Sequence, residues 1–182
     1  MTPVSGIVLA AGAGTRLGTP KAELRVEGER LLDRAMRVLR EGGCAQVIAV
    51  VRAGVDVPGA VVNPDPERGM GSSLRLGLQA ADGERAAIVL VDMPGVGADA
   101  VRRALAVDAP VVVATYGGRR GHPVVVARAL WQDVARFATG DEGARPFLRA
   151  HPDLVTEVAC DGDPGDIDTP EDLARWSRTA DS

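Results

Sequence analysis

Several residue types that usually announce a function are scarce or unpaired in this chain. Aromatic side chains make up 3% of the 182 residues, so the core has to be aliphatic, built from valine, leucine, alanine and isoleucine. The two cysteines, Cys44 and Cys160, are too few for a disulfide framework and form no metal-type spacing, which leaves free buried thiols as the expectation. There is no metal-binding histidine cluster, no serine–histidine–aspartate set and no reactive-cysteine motif. A net charge of −4 argues against a nonspecific nucleic-acid binder, while leaving room for a local basic pocket. No apolar run approaches membrane-spanning length. The N-terminal apolar run is short and has no basic residue before it, unlike a signal peptide. The expectation is a cytoplasmic protein with neither nucleic-acid nor membrane partners. Lysine is scarce too: Lys21 stands alone, and arginine supplies the other twenty of the 21 basic residues.

What is present is a globular composition. Hydrophobic residues make up 46% of the chain and charged ones 25%, and the length suits one domain over 1–182 with a full core. The lone lysine falls in Ile7-Val8-Leu9-Ala10-Ala11-Gly12-Ala13-Gly14-Thr15-Arg16-Leu17-Gly18-Thr19-Pro20-Lys21. A β-branched run that breaks into glycines reads as a buried strand delivering a loop whose backbone can approach a ligand closely. Amide groups in such a loop form an anion site, and Arg16 and Lys21 add full positive charges. The spacing fits neither a dinucleotide fingerprint, which needs glycine at Leu17, nor a P-loop, which needs serine or threonine after the lysine.

Further along, strand and helix signals alternate. Helical spacing predicts helices over 31–40, 72–81, 99–107, 130–138, 143–149 and 170–178, with Ser72 or its neighbour as one cap. Continuous apolar runs predict strands over 47–51, 60–62, 86–91, 110–115, 124–126 and 154–158. Strands separated by helix-length segments indicate an α/β fold: a three-layer, doubly wound, mostly parallel sheet.

In such sheets ligands bind outside the carboxyl ends of the strands. Asp92 follows the strand over 86–91 and is placed to hold Mg²⁺, which takes one or two carboxylates plus phosphate oxygens. In Asp166-Ile167-Asp168-Thr169-Pro170-Glu171-Asp172, Thr169, Pro170 and Asp172 make a near capping box. Asp166 and Asp168 lie upstream of that cap, and either completes a two-carboxylate metal site with Asp92. Asn63, Gly69, Ser72 and Ser73 combine a strand end, a turn and a helix start able to hydrogen-bond a base or ribose. The segment 117–123, carrying His122, reads as a flexible basic loop for an anionic second substrate. Arg145 sits at a helix start, where a cation has no local electrostatic reason to be.

Together, L-A-A-G-x-G-x-R-x-G-x-P-K, N-P…G-M-x-x-S-L, D-M-P, G-H-P-V, G-D-x-G-A-R and D-I-D-T-P-E-D resemble the MobA/MocA nucleotidyltransferases, and within them the molybdenum cofactor cytidylyltransferases. The resemblance spans nearly the whole chain. It implies CTP and Mg²⁺, with the terminal phosphate of a pterin cofactor attacking the α-phosphate and pyrophosphate leaving. Carried over, Leu9, Ala10, Ala11, Gly12, Gly14, Arg16 and Lys21 bind the nucleotide, Arg16, Lys21 and Asp92 are catalytic, and Asp92 with Asp168 or Asp166 holds the metal. His122 and Arg145 fall to the acceptor. Ala11 stands where guanylyl-transferring relatives usually carry glycine, which favours cytosine. The chain departs from the family in Lys21-Ala22-Glu23-Leu24-Arg25 and in the Gly95 that follows Asp92-Met93-Pro94. The pattern also resembles NAD(P)H-dependent pigment reductases of the nicotine blue oxidoreductase type, in which Arg52 would meet a 2′-phosphate. A noncatalytic nucleotide-sensing module is the third reading.

Overall fold

The computed structural model describes residues 3–178; of the expected domain span, residues 1–2 and 179–182 lie outside the described residues. β1 (Val4–Ala10) is buried along its whole length. Its side chains divide between two cores, Val8 and Ala10 in one and Ile7 and Leu9 in the other, as a period of two requires of a strand covered on both faces. A small antiparallel ribbon follows, β2 (Arg25–Val26) with β3 (Glu29–Arg30). The chain continues through α1 (Leu31–Glu41), β4 (Gln46–Arg52), β5 (Val61–Asn63), α2 (Met70–Ala80), β6 (Arg85–Leu90) and α3 (Ala98–Ala106). Then come β7 (Val111–Tyr116), β8 (Arg119–Ala127), α4 (Trp131–Phe137), α5 (Arg145–Ala150), β9 (Val155–Ala159) and α6 (Pro170–Arg178).

The main sheet has the order β5-β4-β1-β6-β8-β7-β9. β8 runs antiparallel to both neighbours, and the other pairs are parallel, so the sheet is mostly parallel as expected. Leu31, Leu32 and Leu39 of α1 join Val101 and Ala104 of α3 in the first core. Leu74 and Leu78 of α2 join Trp131 and Val134 of α4 and Phe147 of α5 in the second. Each fully buried leucine contributes about 1.5–3 kcal/mol relative to exposure, and the two layers of helices lock the sheet from both sides. No helix among the described residues is long and apolar enough to cross a membrane.

Two local expectations need correction. The strand expected at 124–126 begins at Arg119, so the segment read as a flexible basic loop is half of a hairpin. Gly117 (φ 55°) and Gly118 (φ 81°) supply the left-handed pair that a two-residue turn between Tyr116 and Arg119 demands. Burial begins only at Pro123, which is why the apolar pattern revealed only the inner part of the strand. Ser72 is not a cap: α2 starts at Met70, and the Ser72 hydroxyl donates back to the Gly69 carbonyl at 2.7 Å. The β2–β3 ribbon has arms too short to give a periodic signal.

Register aligns the strand ends. Ala10 pairs with Val51, Leu9 with Leu90 and Ile88 with Val124. The loops leaving β1 and β6 and the start of β8 therefore open on one edge of the sheet.

Candidate active site

The glycine loop leaves β1 at Ala11. Gly14 adopts φ 62°, and a Cβ there would run into the Thr19 carbonyl, so only glycine closes the turn in which the Leu17 amide donates to the Gly14 carbonyl at 2.9 Å. Gly12 is different: a Cβ there meets nothing within 4 Å. It keeps space open on the cavity side. After Pro20 a single helical turn, Lys21–Glu23, sinks Ala22 completely into the core and leaves the Lys21 side chain turned toward the sheet edge.

Two carboxylate arms meet that lysine. Asp92 comes just after β6, and the Asp92 carbonyl accepts a hydrogen bond from the Ile167 amide at 2.9 Å. Ile167 itself is fully buried, so the residues on either side of it, Asp166 and Asp168, face outward. The Asp172 carboxylate then accepts from the Asp168 amide (3.1 Å), the Thr169 amide (2.9 Å) and the Thr169 hydroxyl (2.9 Å). The Asp172 amide returns a bond to the Thr169 hydroxyl at 3.2 Å, completing the capping box at the start of α6.

The result is a compact acidic trio. One carboxylate oxygen each from Asp92, Asp166 and Asp168 lie within 4.8 Å of one another. Lys21 Nζ donates to Asp92 Oδ2 at 2.6 Å and also to Asp168 Oδ1. Burial alone pulls the Lys21 ammonium toward neutrality, but Asp92 and Asp168 outweigh it and hold its pKa above the ordinary value. The hydrogen bond from Lys21 pushes Asp168 below the usual carboxylate range, helped from farther off by Arg16. Asp166, desolvated and next to the Asp168 charge, is raised. The donors fit a divalent cation of the magnesium class: all are hard oxygens, and octahedral coordination at about 2.1 Å spaces ligand oxygens about 3–4 Å apart.

These residues border a crevice with two lobes. One, of about 410 Å³, is lined by Leu9, Ala11, Gly12, Gly14, Lys21, Gly69, Ser73 and the acidic trio. The other, of about 440 Å³, has an apolar floor of Leu74, Ile88, Val113 and Val124 beneath Arg119, Arg120 and His122. Arg145 and Asp166 border both lobes. Arg120 is paired with Glu157 at 2.6 Å and Arg149 with Glu142 at 2.7 Å. Among the described residues, the guanidinium groups of Arg119 and Arg145 have no hydrogen-bond or ion-pair partner, although the Arg145 charge reaches Glu142. The His122 Nδ1 is buried without a partner, and burial, reinforced by the Arg145 charge, pulls the imidazole pKa down to about 4. The ring is neutral at pH 7.

Most of the expected residues therefore converge, but not all. Ala10 is fully buried within the sheet and does not line the crevice. Arg16 is exposed and lies outside the lining. Asn63 is 2% exposed; its amide donates to the Ser72 and Ser73 hydroxyls at 2.8 and 3.0 Å, and its oxygen accepts from the Asp65 amide. With those groups engaged internally, Asn63 and Ser72 brace the turn into α2 and do not face the cavity. Among the residues that sequence reasoning missed are Met70 and Asp141, which also line the first lobe, and Ile167, whose apolar side chain amid acidic residues was the signal.

The model of the MobA-like NTP transferase domain matches residues 6–155 of the chain. The chain belongs to this family. Among curated relatives, nicotine blue oxidoreductase of Paenarthrobacter nicotinovorans is 40% identical, over 94% of this chain and 95% of its own. The molybdenum cofactor guanylyltransferase of Rhizobium johnstonii is 30% identical over 96% and 92%. Among solved structures, Rv0371c of Mycobacterium tuberculosis superposes with a TM-score of 0.84 at 30% identity, covering 97% and 98% of the two chains; that protein has also been solved in complex with manganese. The chain thus has the fold and family of the MobA-like NTP transferases, with an acidic, lysine-bearing crevice at the strand ends.

Proposed function

We propose that the protein transfers a nucleoside monophosphate, CMP from CTP, to a phosphorylated acceptor of the molybdopterin type in the cytoplasm, with Mg²⁺ as cofactor and pyrophosphate as the leaving product. The observation that carries this reading is the trio of carboxylates within 4.8 Å facing a glycine loop and the chain's one lysine. The loop amides and Lys21 receive the triphosphate in the first lobe, and Arg16 screens it from the rim. Asp92 with Asp168 or Asp166 holds the metal, which when bound neutralises phosphate charge and makes the α-phosphorus more open to attack. His122 and Arg145 hold the acceptor in the second lobe.

The chain's own part in the chemistry is alignment. The acceptor's phosphate oxygen is already ionised, so no residue has to remove a proton. A bond forms from that oxygen to the α-phosphorus, and the bond from the α-phosphorus to the bridging oxygen breaks, leaving with pyrophosphate. Arg145, shared by both lobes, is placed to bring the two anions together. Ala11, where guanylyl-transferring relatives usually carry glycine, supports cytosine.

The 40% identity to nicotine blue oxidoreductase supports a second reading, hydride transfer from NADPH to a pigment. Two observations weigh against it. Arg52, the candidate for a 2′-phosphate, is paired with Glu67 at 3.3 Å. The acidic trio also repels a dinucleotide's phosphates unless a cation intervenes, and hydride transfer has no use for that cation. One preparation assayed both ways decides between them. Pyrophosphate release from CTP, dependent on a phosphorylated pterin and abolished by a chelator, is expected. Brisk chelator-insensitive NADPH oxidation with no CTP turnover would reverse the assignment.

A further inference from the structure

We infer that Lys21 and the divalent cation compete for the same carboxylate oxygens, and that this competition couples metal binding to nucleotide binding. The inference rests on the reading of the acidic trio as a metal-dependent nucleotide site, and adds to it how the two ligands regulate each other. Lys21 Nζ lies against Asp92 Oδ2 and Asp168 Oδ1, two of the three residues grouped as candidate ligands. Among the described residues it is the one cation in direct contact with them. Both the lysine and Asp92 are mostly shielded, with side chains 17% and 16% exposed, so their contact is little weakened by solvent.

A divalent cation held by Asp92 and Asp168 would meet the ammonium already bonded to both carboxylates, and two cations that close repel strongly. The backbone of Lys21 is fixed by the buried Ala22, but its four-carbon stem turns freely. A metal arriving alone displaces Lys21 from the two carboxylates it holds, at the cost of those ion pairs. A triphosphate in the adjoining lobe gives the displaced ammonium new oxygens. Each ligand thus removes the cost of binding the other, and the coupling is reciprocal, as equilibrium requires. The site assembles fully only when metal and nucleotide are both present.

Removing the competitor should separate these effects. Lys21→Met is expected to bind Mn²⁺ alone more tightly than the wild type, by about tenfold within the usual 5–150-fold span of such couplings, when titrated by calorimetry or electron spin resonance. It should bind CTP in the presence of EDTA more weakly, and its melting temperature should rise more on adding Mn²⁺. Lys21→Gln, smaller and polar, should behave alike and serves if the methionine variant does not fold. Equal Mn²⁺ affinity in wild type and variant, with only CTP binding weakened, overturns the coupling and leaves Lys21 as a phosphate ligand. Mn²⁺ binding that ignores Asp92→Asn in both backgrounds overturns the metal reading itself.

Discussion

His122 shows what a single residue reveals only in three dimensions. In the sequence it is one histidine beside arginines and a proline. In the fold its Nδ1 is buried and without a partner, and the residue lines a cavity with Arg119, Arg120, Arg145, Arg149, Glu142 and Asp166. Its folded pKa of about 4 lies below the ordinary 6.5, so between those values the unfolded chain binds a proton that the native state refuses. Stability from this group is present above pH 6.5 and is lost as pH falls toward 4, by at most about 3 kcal/mol. Urea unfolding across this window should show that loss in the wild type and a flatter profile in His122→Asn. Parallel profiles would assign the acid sensitivity elsewhere. Lys21 and Asp92, by contrast, were legible from residue type and position, because a glycine loop and a strand end constrain where such side chains go.

At the scale of elements, the alternation of apolar runs with helical spacing fixed the order of strands and helices, and the capping residues at Thr169 and Asp172 marked the start of α6. The antiparallel insertion of β8 was hidden, since an Arg-Arg-Gly-His run carries no strand pattern and its partner on the other side, β6, lies far back in the chain. The internal use of Asn63 was hidden because the sequence does not show how the turn folds its amide back onto Ser72 and Ser73. The element that most repays attention is the stretch before α6, held to the β6 loop by the Ile167 amide and by a buried side chain. Ile167→Ala should cost about 2–5 kcal/mol through the cavity it leaves. It should also weaken Mn²⁺ binding, because Asp166 and Asp168 lose their common anchor. Leu32→Ala, equally buried in α1, should lower stability to a similar extent and leave Mn²⁺ affinity unchanged. Unfolding curves and metal titrations on both variants separate the two roles.

The whole molecule joins distant parts of the chain at one edge, with the first strand's loop, the mid-chain Asp92 and the late Asp166–Asp168 stretch closing around one crevice. The cysteines take no part. Burial pushes Cys44 up to about 12 and raises Cys160 as well, with Arg103 partly offsetting the second. Both are buried, and the thiolate is the reactive form. A thiol-exchange reagent at neutral pH should therefore leave the native protein essentially unlabelled and react with both positions once denaturant is added; fast native labelling would show that the sheet opens more readily than its packing implies. The solitary lysine has another consequence. Protein grown with isotope-labelled lysine carries its label at a single residue, and that residue's ammonium lies between two carboxylates. A nuclear magnetic resonance spectrum of the side-chain ammonium then contains one signal that needs no assignment. Its position and exchange rate report directly on what the crevice holds, from titrant to titrant.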